Sequence, residues 1–311
     1  MTGINWADWG LTEPILMEPV KGGLINTSLR AEWADGSVRF VQRVNLEVFQ
    51  DLEAIEANLL LALDHPIRNL AVLPVCRRDG RIHSTAGWRV FPWVDETKSP
   101  LQNGRELGAY WGQFNAELNS TATGWRTVLP NFHSAHVRWN QWQAVRERTP
   151  ASLLAWRATL EALAPSMLGL EAQLPSAVQH HDAKRSNVLH SKDGLKAIDL
   201  DTVQVGYLGS DFADLVRSTA ALRAEDDPGE NAARPEAFEA VWDGYASEYE
   251  SAQKHASTVR QMPGYLTWIQ ALRFATDAAS GNRYYRTSFE GQNWQRAQNQ
   301  LSLAKSLINI R

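Results

Sequence analysis

The sequence has a single cysteine, Cys76, among 311 residues. One cysteine excludes a disulfide within the chain and fits a reducing compartment. No apolar run approaches the ~20 residues that cross a membrane. The first residues, MTGINWADWG, show neither the basic nor the apolar region of a signal peptide. We therefore expect a cytoplasmic protein that does not associate with membranes.

An excess of charge of one sign is also missing. Lys and Arg number 31 against 35 Asp and Glu, which gives a net charge of −4, and no basic stripe stands out. Nucleic acid is therefore not an expected partner. The G-x-S-x-G and G-x-G-x-x-G motifs of hydrolases and dinucleotide-binding folds are absent as well. What the chain does have is a 44% hydrophobic content and enough length for two lobes.

The pattern of the chain changes near residue 95. Before it, alternating apolar residues on either side of Asp35-Gly36 predict a β-hairpin, and 51–63 predicts a helix that Pro66 ends. The segments 72–76 and 88–94 predict two more strands. After it, helical periodicity predicts helices near 104–118, 135–147, 151–163, 211–222, 234–250, 265–279 and 292–309. We expect lobes at 1–94 and 95–311.

One strand-like stretch, QHHDAKRSNVLHSKDGLKAIDLDTV at 179–203, concentrates polar side chains. Asp193-Gly194 predicts a hairpin turn, which would bring Asn187 and Asp199 side by side at the open end. An amide oxygen beside a carboxylate suits Mg²⁺. Asp182 reaches the same neighbourhood through the connecting loop, and Lys184 adds a cation for phosphate. Together these groups predict phosphoryl transfer.

The spacing H-x-D-x-K-x-x-N, followed by I-D, is that of protein kinases and their small-molecule relatives. The chain resembles the aminoglycoside phosphotransferase–choline kinase superfamily, and within it the N-acetylhexosamine 1-kinase family. The similar segments are 23–27, 42–45, 130–133, 199–203, 211–214, 273–277, 284–285 and 296–307. The resemblance implies an α+β, protein-kinase-like two-lobe fold. It would have a small antiparallel N-terminal sheet with one helix and a larger, mainly helical C-terminal lobe carrying the catalytic loop and hairpin.

The resemblance also implies roles for the polar stretch. Asp182 would be the catalytic base for a sugar's anomeric hydroxyl, and Lys184 would contact the γ-phosphate of ATP. Asn187 and Asp199 would hold Mg²⁺. Asp201 could be a second ligand, although holding neighbouring backbone is the favoured role.

Other segments would bind the nucleotide and the acceptor. Residues 92–94 (Pro92, Trp93 and Val94) would meet the adenine, and Gly23 belongs to the glycine-containing segment of the small lobe. Asn26 and Arg273 are the predicted sugar contacts.

The third small-lobe strand departs from many kinases. They place a lysine there, paired with a helix glutamate, whereas this chain has Gln42 with Arg43 beside it. Strand alternation allows only one of the two to face the nucleotide. If Arg43 does so, Glu53 or Glu56 could pair with it.

Three functions remain open at this stage. The first is an ATP- and Mg²⁺-dependent kinase that phosphorylates an N-acetylhexosamine or related sugar at the anomeric hydroxyl. The second is a phosphotransferase of the same fold with another small alcohol as acceptor, such as an aminoglycoside, choline or homoserine. The third is a non-catalytic binding protein that kept the fold. Such a protein would be expected to have lost the base or a metal ligand, but Asp182, Asn187 and Asp199 are all present. The expected partners are ATP and the small acceptor, for a monomer or weak homodimer.

Overall fold

The structure is a computed structural model that describes residues 3–20, 25–97, 103–121 and 123–310. The chain forms two compact units. Unit 1 comprises Met1–Pro100, Ser120–Leu129 and Asn187–Gln204, and unit 2 comprises Leu101–Asn119, Pro130–Ser186 and Val205–Arg311. Each unit is therefore assembled from three separate segments of the chain. The lobe boundary expected after residue 94 stays a prediction.

Unit 1 contains a four-stranded antiparallel sheet whose strands follow each other in chain order. The strands are β1 (Leu16–Pro19), β2 (Thr27–Glu32), β3 (Val38–Arg43) and β4 (Trp88–Pro92). The hairpin predicted around Asp35-Gly36 joins β2 and β3, with Gly36 at a φ of 79° that favours glycine. One face packs on tryptophans from the first segment, and Trp6 meets Trp33 edge-on at 5.5 Å between ring centres.

The predicted helix after β3 is α1 (Leu52–Asp64). Its N-cap is Asp51, whose side chain accepts a hydrogen bond from the backbone N–H of Ala54. A short 3₁₀ helix, Pro66–Asn69, follows it. The prediction of a strand at 72–76 is wrong: the segment makes only isolated backbone bonds, to Ala197 and to Val90. Pro74 lacks a backbone N–H, so it interrupts any ladder there.

A second hairpin belongs to unit 1, formed by β6 (Val188–Ser191) and β7 (Gly194–Ala197). Ser191 faces Gly194 in the register, so the two turn residues are Lys192 and Asp193 rather than Asp193-Gly194. Ser191 Oγ donates to the Gly194 carbonyl and accepts from the Asp193 N–H, which favours this turn. The hairpin is where the sequence predicts it, one residue earlier at its tip.

Unit 2 is mainly helical, with one small sheet of β5 (Ser176–Gln179) and β8 (Gln204–Tyr207). Its core surrounds the long buried helix Met262–Ala279. In chain order the helices are α2 (Gly104–Leu118), α3 (Ala135–Gln143), α4 (Leu154–Ala162), α5 (Ala164–Glu171), α6 (Ser210–Thr219), α7 (Pro235–Glu248), α8 (Glu250–Lys254), α9 (Ala256–Val259), α10 (Met262–Ala279) and α11 (Gln292–Ile308). No helix in the described ranges is long and apolar enough to cross a membrane.

Helices α2 and α7 approach each other closely because glycines line their contact. A Cβ built on Gly244 would stand 2.0 Å from the Arg105 carbonyl oxygen, and one on Gly108 would stand 2.1 Å from that of Val241. Both neighbours are backbone atoms, which do not rotate aside as a side chain would. The close contact between the two helices therefore requires glycine, which has no side chain, at both positions.

We expect Gly244→Ala to lower the free energy of unfolding by about 3 kcal/mol, because overpacking a rigid contact forces backbone to move. Urea denaturation followed by circular dichroism measures the change. The matched control is Gly169→Ala in α5, where a Cβ would meet nothing within 4 Å. That variant is expected to gain up to about 1 kcal/mol from helix propensity. Equal stability of Gly244→Ala and the wild type would contradict the packing.

Candidate active site

The loop after β5 carries the predicted base. Asp182 and Lys184 form an ion pair in which Lys184 Nζ donates to Asp182 Oδ2 over 2.8 Å. Their side chains are 29% and 36% exposed, so both reach solvent while keeping a defined partner. The structure therefore brings the predicted base and the predicted phosphate-binding cation together within unit 2.

The backbone just before Asp182 is held by a buried carboxylate. Asp211, in the first turn of α6, accepts hydrogen bonds from the backbone N–H groups of His180 at 2.8 Å and His181 at 2.7 Å. His181 has a φ of 67°, a left-handed conformation that costs a non-glycine residue about 1–3 kcal/mol. Burial raises the pKa of Asp211 to about 7, and the two N–H donors act against that rise. Asp211 therefore stabilises the left-handed turn that immediately precedes Asp182.

The two histidines of the loop are packed into unit 2. The His180 ring lies edge-on to Trp111 at 5.1 Å, and its Nδ1 accepts from the Asp182 N–H at 3.3 Å. The His181 ring packs against Gly206, where a Cβ would stand 2.1 Å from Cε1. Only glycine leaves room for that ring.

A buried charge network lies beside Asp182 in the same unit. Arg217 donates to Asp214 at 2.9 Å and to Glu225 at 3.1 Å. Burial raises the pKa of Asp214, and the charge of Asp182 raises it further, while Arg217 lowers it. For Arg217, burial lowers the pKa but Asp214 and Glu225 raise it above its ordinary value. The arginine thus stays charged and compensates the acids around the base.

The predicted metal ligands lie at the open end of the β6–β7 hairpin in unit 1. The Ile198 N–H donates to the Asn187 carbonyl at 3.0 Å, which continues the ladder and sets Asp199 one residue beyond it. Asp199 has a φ of 63° and is exposed, whereas Asn187 is buried. Carboxylate and amide oxygens suit Mg²⁺, which retains water and phosphate oxygens as its other ligands. The role of Asn187 and Asp199 as metal ligands stays a prediction. No group of three or more His, Cys, Asp or Glu able to hold a metal occurs among the described residues.

Asp201, two residues further on, is placed differently. Both of its carboxylate oxygens are bonded to the Arg89 guanidinium, and the Asn26 amide donates to one of them at 3.3 Å. Burial alone would raise the pKa of Asp201, but Arg89 keeps it below its ordinary value. Asp201 thus binds the side chains of Arg89 and Asn26, while its expected hold on neighbouring backbone and a part in metal binding both stay predictions.

The third strand orients Gln42 and Arg43 to opposite sides, as alternation predicts. Gln42 Oε1 accepts from Arg89, so Gln42 faces the network that includes Asp201. Arg43 is exposed, and its Nε donates to the Ala86 carbonyl at 3.1 Å. The suggested pairing of Arg43 with Glu56 is not formed, because Glu56 binds Arg81 and His83.

The segment predicted to meet the adenine begins at the end of β4. Pro92 is the last residue of that strand, and Trp93 Nε1 donates to Asp95 at 3.1 Å. The guanidinium of Arg30 stands 5.5 Å from the Trp93 ring centre. Gly23 lies outside the described residues. Nucleotide contacts for 23, 42, 43 and 92–94 stay a prediction.

The two predicted sugar contacts lie in different units. In unit 1, Asn26 donates to Asp201 and accepts from the Asn45 N–H at 2.9 Å, so both ends of its amide are engaged. In unit 2, Arg273 is surrounded by three aromatic rings, those of Phe132, Tyr284 and Tyr285, at 4.9 to 5.7 Å. Their roles as substrate contacts stay a prediction.

Sequence reasoning missed two residues of this architecture. Arg89 received no role, although an arginine inside the apolar run Trp88 to Phe91 is a signal of a buried ion pair. Asp211 lies in the similar segment 211–214 but received no role of its own, since an acid in the first turn of a helix is common. Its partners lie about thirty positions away in sequence, where no local pattern reveals them.

Solved structures of other proteins share this fold. Amicoumacin kinase hAmiN is 13% identical, with 93% of this chain and 89% of that chain covered and a TM-score of 0.64. An aminoglycoside phosphotransferase from Alicyclobacillus acidocaldarius is 14% identical, with coverages of 98% and 95% and a TM-score of 0.63. A choline/ethanolamine kinase family protein from Mesorhizobium loti is 15% identical, with coverages of 96% and 90% and a TM-score of 0.64. The predicted α+β kinase-like fold is therefore confirmed.

The sequence itself identifies the family. Residues 17–250 match the model of the phosphotransferase enzyme family, APH. Kinases of this family use ATP together with a divalent metal. The match covers most of the chain, which therefore belongs to this family of ATP-dependent small-molecule phosphotransferases.

Proposed function

We propose that this chain transfers the γ-phosphate of ATP to the anomeric hydroxyl of an N-acetylhexosamine or a related sugar. Asp182 accepts the proton of that hydroxyl as its oxygen attacks the γ-phosphorus, and the bond from phosphorus to the departing ADP oxygen breaks in line. Lys184 contacts the γ-phosphate. Asn187 and Asp199 would hold Mg²⁺, which when bound neutralises charge on the β- and γ-phosphates.

The observation that carries the choice of acceptor is the positive charge of unit 2 near the base. Burial is the largest cause of the lowered pKa of His133, and the charges of His181, Arg273, Arg138 and Arg217 lower it further. Arg217 also interacts electrostatically with Asp182. Asp214 and Glu225 neutralise Arg217, so Arg273 and Arg138 carry the charge that would disfavour a cationic acceptor such as choline or an aminoglycoside. A neutral, oxygen-rich acceptor meets no such penalty.

The aromatic rings around Arg273 support the same choice. A guanidinium held between ring faces offers donors in fixed directions next to apolar surface. Sites for small polar ligands commonly combine aromatic walls with a few directed polar groups. A sugar ring, with hydroxyls at its rim and C–H bonds on its faces, has the matching chemistry.

Acids of the loop at 225–230 already have cationic partners within unit 2. Asp226 accepts from Arg296 at 2.5 Å and from Gln292 at 3.1 Å, both on α11. Glu225 is bound to Arg217. These acids are therefore engaged in fastening the loop to unit 2, and a cationic acceptor would have to displace their partners.

We expect the purified protein with ATP and Mg²⁺ to phosphorylate free N-acetylglucosamine or N-acetylgalactosamine at the anomeric position. ADP release is measured over a panel that also contains choline, homoserine and an aminoglycoside. The product is expected to be an acid-labile 1-phosphate. The methyl glycoside of the same sugar should be inert, because it lacks the attacking hydroxyl.

The outcomes separate the levels of the proposal. A methyl glycoside that reacts as fast as the free sugar would overturn the anomeric assignment while phosphotransfer stands. Activity with choline or the aminoglycoside alone would show that the acceptor class is wrong. The assay is repeated at two ionic strengths, because salt screens the interaction between surface charges of the protein and a charged acceptor.

A further inference from the structure

A buried ion pair in unit 1 joins strand β4 to the turn that follows the β6–β7 hairpin. Arg89 Nη1 and Nη2 donate to the two oxygens of Asp201 at 2.5 and 2.7 Å. Each side chain is 1% exposed. This fork-to-fork geometry fixes direction as well as distance, because two parallel hydrogen bonds define a plane.

Neighbouring side chains hold the pair in place. Gln42 faces Arg89 across the β3–β4 register, accepts from its guanidinium, and donates to Ser28 at 3.2 Å. On the other side, Asn26 donates to Asp201. Strands β2, β3 and β4 therefore all contribute side chains to the hydrogen-bond network around the Asp201 carboxylate.

The network lies next to the strained residue that would bind the metal. Asp201 sits in the 3₁₀ turn Leu200–Thr202, which starts directly after Asp199. A left-handed Asp199, at a φ of 63°, persists only where the structure on either side over-determines it. The hairpin provides one side, through the bond from the Ile198 N–H to Asn187, and the Arg89–Asp201 pair provides the other.

Arg89 also makes the surroundings of Asp199 and Asp201 different. Asp199 and Asp201 are two residues apart, and both could offer oxygens to a cation. Arg89 engages both oxygens of Asp201, whereas Asp199 is an exposed residue at the end of the hairpin. The two acids therefore differ in surroundings: Asp201 is buried against Arg89, and Asp199 lies at the surface.

We infer that Arg89 is a positioning residue for the metal site: through Asp201 it holds Asp199 in the backbone conformation that binds the divalent ion. The strand position where many kinases carry a lysine holds Gln42, and the buried cation stands on the next strand with its charge directed to this turn. This inference rests on the proposed role of Asp199 in binding the metal of the nucleotide complex.

The test compares metal binding, without turnover, in the wild type and in the double variant Arg89→Met/Asp201→Leu. Removing both partners together avoids leaving one buried charge unpaired, so the fold is expected to persist. Binding of Mn²⁺ with a non-hydrolysable ATP analogue is followed by electron paramagnetic resonance. We expect affinity for Mn²⁺ to fall about 10–100-fold, as for loss of groups that orient metal ligands.

A second ion pair of the same unit provides the matched control. Arg77 donates to Asp8 at 2.9 Å, and Arg77→Met/Asp8→Asn should leave Mn²⁺ affinity within about twofold of wild type. Wild-type affinity in Arg89→Met/Asp201→Leu would overturn the inference. If that variant does not melt cooperatively, Arg89→Lys replaces it with the same two outcomes, because lysine keeps the charge but cannot form the two parallel hydrogen bonds. A wild type that binds no Mn²⁺ with the analogue would instead contradict the proposed metal site.

Discussion

Replacing Asp182 with asparagine is expected to lower kcat by about a thousandfold, in the middle of the range that general bases contribute. Asparagine has nearly the same shape, but it accepts no proton from the attacking hydroxyl. The substitution also removes the charge that Lys184 contacts at 2.8 Å, so the lysine remains available to phosphate. Affinity for ATP is therefore expected to stay within a few fold of wild type.

Steady-state kinetics with the acceptor found in the panel measure kcat, and fluorescence titration measures nucleotide binding. The matched control is Asp193→Asn, which removes one exposed carboxylate from the same stretch, in the turn of the β6–β7 hairpin. That variant should keep wild-type kinetics. Equal losses of kcat and ATP affinity in Asp182→Asn would point to a structural role instead of a base.

Asp199→Asn is expected to lower the affinity for the divalent metal at least a hundredfold, since even groups that only orient metal ligands contribute 10–100-fold to that affinity. Asparagine tolerates the left-handed backbone of this residue, so the change removes charge without adding strain. Activity measured against Mg²⁺ concentration should show the half-saturating concentration rise and the maximal rate fall.

Asp199→Ala provides a comparison, because it removes the ligand and also places a residue that disfavours a φ of 63°. Its free energy of unfolding should fall below that of Asp199→Asn. An unchanged Mg²⁺ dependence in Asp199→Asn would exclude Asp199 as a ligand, whatever the stability of the alanine variant.

Local patterns predicted most of the secondary structure and failed where tertiary contacts decide. Helix α2 starts and ends as its periodicity predicts. Strand β1 was missed because all four of its residues are exposed, so no alternation marks it. Helix α5 was missed because Pro165 resembles a break, yet it occupies the first turn, where proline is favoured.

The candidate motif could be recognised in the sequence because its members are close together in the chain. Residues 182, 184 and 187 share one loop, and a turn brings Asp199 back towards Asn187. The side chains that stabilise this loop and turn could not be identified from the sequence. Asp201 and its partner Arg89 lie 112 positions apart, and such a pairing depends on the packing of the whole unit.

The interleaving of the two units constrains the order of folding during synthesis. Arg89 leaves the ribosome more than a hundred residues before Asp201, and unit 1 includes 187–204. Until that stretch emerges, the nascent sheet would bury a guanidinium without its counter-charge, at a cost of about 3–5 kcal/mol. A fragment that ends at residue 100 lacks two of the three segments of unit 1, including the one that carries the counter-charge of Arg89.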